Sequence, residues 1–298
     1  HTGLVEQADD LDAVRTALGV PRLDFLGQAV GAELGVVYAA RHPAHAGRFA
    51  LDTAVDPFLS TARRVLDTAH AEEAAFDRFA AWCAQTPAQC PLAGQDVGAV
   101  LDELGTQGAP GLTGAEVRIA VGQFLLGYPF AWPGIGHALA AARDGDASGL
   151  AAYVALTYTE PDYTASHAQI CVDQPSDPGQ LAVLADQVRT AAPHTGGVSL
   201  QWDALLSCAG WPDGRGLTAR LPGRLTVASP VLITVTASDP INPSAWATDL
   251  GDRITGSYVL VAPVDGHGAL DNAPCAATAI DTYLAVGTLP STKECQNG

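Results

Sequence analysis

The chain has 298 residues, a formal net charge of −17 and 48% hydrophobic residues. Charged residues make up only 16% of it, too few for a disordered chain, and the length suits one large domain with an insertion or two domains. The acidic balance offers no basic stripe for phosphates, so we expect no nucleic-acid partner. No segment reaches the roughly 20 apolar residues of a membrane span, so we expect no membrane partner.

The sequence begins with a histidine and contains no methionine. A start without an initiator methionine predicts a processed protein or a fragment of something longer. An acidic secreted protein is one interpretation of the net charge, and attraction of a cationic group such as the amino terminus of a peptide is another.

Hydrophobic spacing and Pro/Gly breaks predict the elements. They are, in chain order, a helix over 5–18 with an apolar face of Leu11, Val14, Ala17 and Leu18, a strand over 22–27, a helix over 29–41, a strand over 48–52, helices over 58–85, 114–127, 134–143, 148–158 and 177–192, a strand over 231–235, a helix over 243–251, a strand over 257–261 and a helix over 273–286. This order predicts an α/β protein. Its core is divided between 1–56 and 212–298 by a helical insertion over 57–211, far longer than an ordinary loop.

A glycine-flanked turn stands between the first strand and the second helix, in the segment Gly27-Gln28-Ala29-Val30-Gly31. Strand, sharp turn and helix are the context of the G-x-S-x-G nucleophile elbow, so the segment resembles that of α/β-hydrolases, with Ala29 at the serine position. We expect the two glycines because side chains there would collide with the strand and the helix. The resemblance implies an α/β-hydrolase fold with a partial parallel sheet, and it makes the insertion a helical cap.

Two downstream residues complete the order of an α/β-hydrolase triad. Asp239 follows a strand and suits the acid, and His267 stands in Gly266-His267-Gly268 and suits the base. An ordinary Asp-Pro turn and a surface histidine are the alternatives, and Asp265 and Asp271 are rivals for the acid. The backbone N–H of Val30 is the expected oxyanion donor.

Ala29 has three explanations. It is an engineered replacement of serine, the mark of a natural pseudoenzyme, or part of a chance turn. The presence of Asp239 and His267 favours the first, so we expect the chain as it stands to be unable to form an acyl-enzyme.

The first helix of the insertion carries the acidic residues Glu72, Glu73 and Asp77. A carboxylate facing a cleft could bind the α-ammonium group of a peptide through a charge-assisted hydrogen bond. A solvated helix face is the alternative.

The six cysteines are Cys83, Cys90, Cys171, Cys208, Cys275 and Cys295. They form no C-x-x-C pair and no cluster with histidine, so we expect no metal site. Proximity along the chain favours the pairs Cys83–Cys90 and Cys275–Cys295, which leaves Cys171–Cys208. Three disulfides would indicate an oxidising, extracellular compartment, whereas six buried thiols in a cytosolic enzyme is the alternative.

Several longer motifs resemble one family in particular. They are Ala8 to Leu18, the segment Asp24 to Gly31, Leu51 to Pro57, Cys208 to Pro212, Ser229 to Pro243, Gly266-His267-Gly268, and the tail from Cys275 through Tyr283, Leu284, Gly287, Leu289 and Pro290 to Cys295. Together they look like secreted tripeptidyl aminopeptidases and their proline-iminopeptidase-like relatives. The resemblance implies a cofactor-free extracellular serine peptidase that cuts near a free N-terminus. It places the nucleophile at Ala29, the acid at Asp239 and the base at His267.

Other functions stay open on this fold. Related folds also host esterases, amidases and lactonases, so a small acyl compound is an alternative substrate to a peptide. A non-catalytic binding protein that keeps the cleft is the alternative from a different class.

The number of strands before the elbow is smaller than the resemblance leads one to expect. Only four core strands are visible, the elbow strand comes first, and no HGG-type oxyanion motif precedes it. We therefore expect an N-terminal fragment of the same protein, as a second chain, to supply the upstream strands and a second oxyanion N–H.

Overall fold

A computed structural model of the chain describes residues 2–127, 129–159, 163–174, 178–211, 216–217 and 220–295. His1, Pro212 and the first residue of the helix predicted over 177–192 lie outside the described residues. The helices are α1 (Leu4–Ala17), α2 (Val30–Arg41), α3 (Thr61–Gln85), α4 (Val97–Gln107), α5 (Gly114–Leu126), α6 (Trp132–Arg143), α7 (Ser148–Thr159), α8 (Tyr163–Asp173), α9 (Pro178–Ala191), α10 (Leu200–Ser207), α11 (Ser244–Arg253), α12 (Ala269–Asn272) and α13 (Pro274–Val286), with a 3₁₀ turn at Pro129–Ala131. The strands are β1 (Leu23–Gln28), β2 (Ala46–Asp52), β3 (Leu225–Thr226), β4 (Val231–Ser238), β5 (Ile254–Thr255) and β6 (Tyr258–Asp265).

The main sheet has four strands in the order β1-β2-β4-β6, and every neighbouring pair is parallel. These are the four strands predicted from the sequence, so the α/β class is confirmed. Phe49 of β2 pairs with Val231 of β4, and Ile233 of β4 pairs with Val259 of β6. Because all four strands run the same way, the loops that follow them meet at one edge of the sheet.

Helices cover both faces of this sheet. Alternate residues of a strand point to opposite faces, so Phe49 and Leu51 join a core with α1, α2 and α11, whereas Ala50 joins one with α12 and α13. Gly35 lets α2 approach the sheet closely. A Cβ at that position would lie 2.6 Å from Leu51 Cδ2 and 2.9 Å from Phe25 Cε1.

The two outer strands of the sheet differ in what lies beside them. The chain end runs along β6, where the N–H of Val261 donates to the Lys293 carbonyl and the N–H of Cys295 donates to the Val261 carbonyl. By contrast, β1 has one strand neighbour among the described residues, and the side chain of its Leu26 is 45% exposed.

The buried face of α1 differs from the predicted one. Its buried residues are Leu4, Val5 and Ala8, whereas Val14 is 51% exposed and the following Leu18 is 66% exposed. Of the predicted apolar face, Leu11 is partly buried and packs against the core, whereas Val14, Ala17 and Leu18 are exposed in this chain.

The chain divides into two compact units. The first comprises residues 1–61, 168–176 and 210–298, and the second comprises 62–167 and 177–209. The second unit is helical and has its own core, built around residues such as Phe79, Leu101 and Leu139. Residues 168–176, which lie inside the predicted insertion, belong to the first unit.

Disulfides join Cys83 to Cys90 and Cys275 to Cys295, the two pairs that proximity along the chain favours. Cys171 and Cys208 are also disulfide-bonded, and no described cysteine is free. No helix in the described part of the chain combines the length and the apolar composition needed to cross a bilayer.

Four helices of the described residues were not predicted from the sequence, namely α4, α8, α10 and α12. The α4 segment contains Gly98 and Gly105, and glycine inside a helix is unfavourable. Both glycines allow close packing. A Cβ at Gly98 would lie 2.7 Å from the His194 ring, and one at Gly105 would lie 2.3 Å from Arg118 Cζ.

Two adjacent glutamates of α3 are buried in different ways. Glu73 accepts hydrogen bonds from the N–H groups of His194 and Thr195 and from the Thr195 hydroxyl, at 2.9–3.0 Å. Glu72 is buried, and its Oε2 has no hydrogen-bond partner among the described residues. Burial, with the neighbouring charge of Glu73, raises the pKa of Glu72 to about 8.

We expect substitution of these two glutamates to change stability in opposite directions. The pKa of Glu72 is higher in the folded than in the unfolded chain, so its ionisation destabilises the fold progressively as pH rises from about 4.5 to about 8. Glu72→Met removes this loss and should raise the free energy of unfolding by roughly 1–3 kcal/mol above pH 8. Glu73→Met should lower the free energy of unfolding at every pH, because two buried donors of Thr195 and the partly buried N–H of His194 lose their acceptor. Urea unfolding at pH 5, 7 and 8.5 measures both; a Glu72→Met variant that is less stable than the parent at pH 8.5 contradicts the assignment.

Candidate active site

The turn between β1 and α2 holds a strained residue. Ala29 has φ 50° and ψ −115°, a conformation that residues other than glycine rarely adopt. It is held from both sides, because its N–H donates to the Asp52 carbonyl at 3.0 Å and its carbonyl accepts from the N–H of Glu33 in the first turn of α2. A strained residue between a strand and a helix is typical of a nucleophile elbow, in which the strain exposes the nucleophile.

Only the first glycine of the turn is explained by collision. A Cβ at Gly27 would lie 2.3 Å from the Gly31 carbonyl oxygen and 2.7 Å from the Ala32 nitrogen, so no other residue fits. A Cβ at Gly31 would meet no described atom within 4 Å. The sequence-based explanation is therefore right for Gly27 and wrong for Gly31.

Val30 is the first residue of α2. The N–H groups of a helix's first turn have no acceptor within the helix, and the helix dipole favours negative charge there. This places the Val30 N–H where an oxyanion beside residue 29 could accept from it.

Asp239 and His267 come together on the loops that follow β4 and β6. The His267 Nδ1 lies 3.1 and 3.0 Å from the two carboxylate oxygens of Asp239. Asp239 is buried, and its Oδ1 also accepts from the N–H groups of Ile241 and Asn242, both at 2.9 Å. When Nδ1–H donates its hydrogen bond to this carboxylate, the other ring nitrogen, Nε2, is the one that can accept a proton.

The two glycines around His267 have left-handed backbones, with φ 104° at Gly266 and φ 91° at Gly268. These angles explain why glycine flanks the histidine on both sides. The Gly266 carbonyl accepts from the Thr236 hydroxyl at 2.6 Å, and the Asn272 amide donates to the carbonyls of His267 and Gly268 at 2.6 and 2.7 Å. The loop is therefore tied down on both sides of the imidazole.

The surroundings of His267 favour its charged form. Burial alone lowers the pKa of the imidazole, but the hydrogen bond to Asp239 and the charges of Asp239, Asp52 and Asp271 outweigh burial, so the pKa is raised above 6.5. The two rivals for the acid take other places: Asp271 accepts from Gln28 Nε2 at 2.8 Å, and Asp265 ends β6 opposite Ser238.

Sequence reasoning missed the role of Asp52, the last residue of β2. It is fully buried and accepts from the Thr234 hydroxyl at 2.6 Å, from Gln28 Nε2 at 3.1 Å and from the N–H groups of Ala269 and Leu270. Burial raises its pKa. The signal was available, because Asp52 ends a predicted strand in the same way that Asp239 follows one.

The three acidic residues predicted to bind an amino terminus lie in the second unit. The Glu73 carboxylate accepts hydrogen bonds from Thr195 and from the backbone N–H of His194, and Glu72 is buried. Asp77 lines a cavity of about 240 Å³ together with Asp96 and His194.

One group in the first unit has the composition of a metal site. Asp12, His42 and His45 each offer a ligand atom, all within 4.8 Å of one another. The Arg15 guanidinium, 2.7 Å from Asp12, holds the pKa of that carboxyl well below its usual range. The Tyr38 hydroxyl also donates to Asp12. The group precedes β2, whereas Asp52 ends it, so it lies at the other end of the strand from the Asp239–His267 pair.

Two sequence families match separate parts of the chain. One, described as "TAP-like protein", matches residues 196–295, and the other, described as "alpha/beta hydrolase fold", matches residues 3–109. The matches contain Asp239 and His267 in the first case and the turn at Ala29 in the second.

Several characterised proteins are similar over nearly the whole chain. Serine protease Hip1 of Mycobacterium tuberculosis is 27% identical over 97% of this chain and 61% of its own length. Tripeptidyl aminopeptidase of Streptomyces lividans is 28% identical over 96% of this chain and 57% of its own length. Carboxylesterase B of M. tuberculosis is 28% identical over 98% and 60%. The chain thus spans about 60% of the length of these relatives.

The parallel sheet with helices on both faces, the strained turn after β1 and the matched segments lead to one assignment. This chain has the α/β-hydrolase fold, and its homologues include peptidases.

Proposed function

We propose that this chain belongs to a secreted serine hydrolase that releases short peptides or single residues from the free N-terminus of a peptide. The observation that carries the proposal is the 3.0 Å contact between His267 Nδ1 and Asp239, on loops that follow neighbouring parallel strands. With Ala29 in the turn the chain has no hydroxyl to acylate, so in this form it is inactive.

The chemistry follows from the geometry once a serine occupies position 29. Nε2 of His267 takes the hydroxyl proton as Oγ attacks the scissile carbonyl, and Asp239 stabilises the imidazolium. The oxyanion accepts from the Val30 N–H. The imidazolium then protonates the leaving amine, and a water molecule, deprotonated by the same Nε2, hydrolyses the acyl-enzyme.

Peptide as the substrate is supported by the names of two relatives, a serine protease and a tripeptidyl aminopeptidase. For the amino terminus of the substrate, Glu72 and Asp77 remain the candidate partners, because the Glu73 carboxylate already accepts three hydrogen bonds. The Glu72 carboxyl has a pKa of about 8, so an ammonium group would have to displace its proton. An ester is the alternative substrate, supported by the name of the third relative.

A non-catalytic binding protein is the second candidate function, and Ala29 is the observation in its favour. The paired Asp239 and His267 argue for the hydrolase, because a binding protein gains nothing from a buried carboxylate aligned on an imidazole. The genomic codon at position 29 separates the two candidates: a serine codon supports the enzyme and an alanine codon supports the binder. Secretion is supported by the disulfides, which persist in oxidising compartments.

Ala29→Ser should create hydrolytic activity. In a serine triad, loss of the nucleophile lowers kcat on the order of 10⁶-fold, so the gain should be of similar size. Labelling by a fluorophosphonate probe and turnover of peptide and ester panels measure it, with Ala29→Ser/His267→Gln as the matched control that should remain unlabelled. A folded Ala29→Ser chain that is neither labelled nor active would contradict the proposal.

The activity of the Ala29→Ser variant should depend on pH through His267. Because the pKa of the imidazole is raised above 6.5, activity should fall as pH drops through a value above 6.5, where the base becomes protonated.

Asp239→Asn in the Ala29→Ser background should lower kcat about 10⁴-fold by favouring the wrong tautomer of His267. It should also move the acidic limb of the profile to lower pH, since a negative charge is lost. An unshifted limb in Asp239→Asn would show that the carboxylate does not face the base.

We also propose that an N-terminal polypeptide of the same protein pairs with the outer edge of β1. Exposed apolar side chains gather in the first 30 residues, namely Val14, Leu18, Val20, Leu26 and Val30, which are 37–66% exposed. Of these residues Leu26 lies in β1, and an edge strand with an exposed apolar side chain is an aggregation hazard unless another strand covers it. The greater length of the relatives provides for such a segment.

Protein purified from its natural source should therefore contain a second polypeptide, detectable by intact-mass analysis. The 298-residue chain alone should self-associate, and Leu26→Lys should reduce this association, whereas Leu156→Lys, a similarly exposed leucine of the second unit, should not. A lone chain that is monomeric and monodisperse at high concentration, with no companion fragment in the native protein, defeats the proposal.

A further inference from the structure

The residue that precedes Ala29 links the turn to the histidine loop. Gln28 Nε2 donates one hydrogen bond to Asp52 Oδ2 at 3.1 Å and another to Asp271 Oδ2 at 2.8 Å. An amide NH₂ group has two hydrogens, so both are used. Asp271 lies four residues after His267, and Gln28 lies immediately before the nucleophile position.

Asp52 extends this link into the sheet and into the loop. Its carboxylate accepts from the Thr234 hydroxyl of β4 and from the N–H groups of Ala269 and Leu270, the first two residues of α12. A carboxylate at a helix N-terminus is favourable, because the N–H groups there lack partners within the helix. One buried side chain therefore contacts β1, β4 and the segment that carries His267.

The exposed side chain of Gln28 lies close to the loop at Gly268. A Cβ at Gly268 would lie 3.0 Å from Gln28 Nε2. Gly268 also needs its left-handed backbone to place His267. The amide of Gln28 thus lies near the residue that follows His267.

We propose that Asp52 and Gln28 are positioning residues that hold the His267 loop at a fixed distance from the turn at Ala29. They touch neither substrate nor reacting atoms and act through the backbone of α12 and through Asp271. The inference rests on the proposed function, since the distance between the loop and the turn matters only if Nε2 must reach an atom on residue 29. A displacement of about 1 Å between base and nucleophile can lower the rate on the order of 100-fold.

The first test needs no activity and uses the chain with Ala29. Gln28→Met keeps the side-chain length and removes both hydrogen bonds, and Gln89→Met is the matched control at an exposed position of the second unit. In Gln28→Met, amide exchange of Ala269 and Leu270 should speed up about tenfold, and the NMR signal of the His267 Nδ1 proton should broaden, with Tm close to that of the control. Unchanged exchange and an unchanged Nδ1 proton signal would overturn the inference.

The second test uses the Ala29→Ser background. Gln28→Met and Asp52→Asn should each lower kcat about 10- to 100-fold with KM within about twofold, because the base is displaced and substrate binding is not. Their effects should be less than additive in the double variant, since both act on one network. A kcat within twofold of Ala29→Ser for Gln28→Met would overturn the inference. If Ala29→Ser itself is inactive, the proposed function fails, and the exchange measurements alone decide whether Gln28 positions the loop.

Discussion

The buried carboxylate of Asp52 is the interaction on which the arrangement of the site depends. It stands at the end of a central strand and receives hydrogen bonds from both neighbouring strands and from the helix that follows His267. Burial raises the pKa of this carboxyl, and hydrogen bonds from four donors oppose the effect of burial. The backbone of the same residue holds the strained turn, because its carbonyl accepts from the N–H of Ala29. A single residue of the sheet is thus hydrogen-bonded both to Ala29 and to the segment that follows His267.

The electrostatics of His267 follow from the same arrangement. Three carboxylates, those of Asp239, Asp52 and Asp271, favour its charged form, while burial opposes it. Only Asp239 touches the ring, and its remaining hydrogen bonds come from backbone N–H groups that fix its orientation. An imidazole in this setting accepts a proton readily as a reaction proceeds, which suits a general base. This balance explains why acids that are not triad members still bear on the chemistry.

In the second unit, Glu72 and Glu73 show how little residue type says about the role of a buried acid. Glu73 accepts hydrogen bonds from three donors, two of them backbone N–H groups, and it fastens the segment at His194 to α3. Glu72, one residue away on the same helix, points to the other side, where Gly122 leaves space for its Oε1. Its burial without a partner for Oε2 keeps it protonated at neutral pH. Ionisation of Glu72 therefore requires a cation beside it, whereas the Glu73 carboxylate already has three hydrogen-bond donors.

The sequence by itself determined the class of fold, the four strands of the sheet, the turn at Ala29 and the order of Asp239 and His267. These depend on local signals, namely hydrophobic periodicity, glycine at a turn that excludes side chains, and polar residues at strand ends. The tertiary structure decided what depends on groups far apart in the chain. Helix α4 was not predicted, and its Gly98 and Gly105 are explained by the His194 and Arg118 side chains that pack against them. The apolar residues Val14 and Leu18 looked buried until the first half of α1 was found to carry the contacts. Asp52 and Gln28 gained their roles only when β1, β2, β4 and the His267 loop met at one sheet edge. A single sequence records which residues are present along the chain, but a hydrogen bond between residues 28 and 271 exists only after the chain has folded.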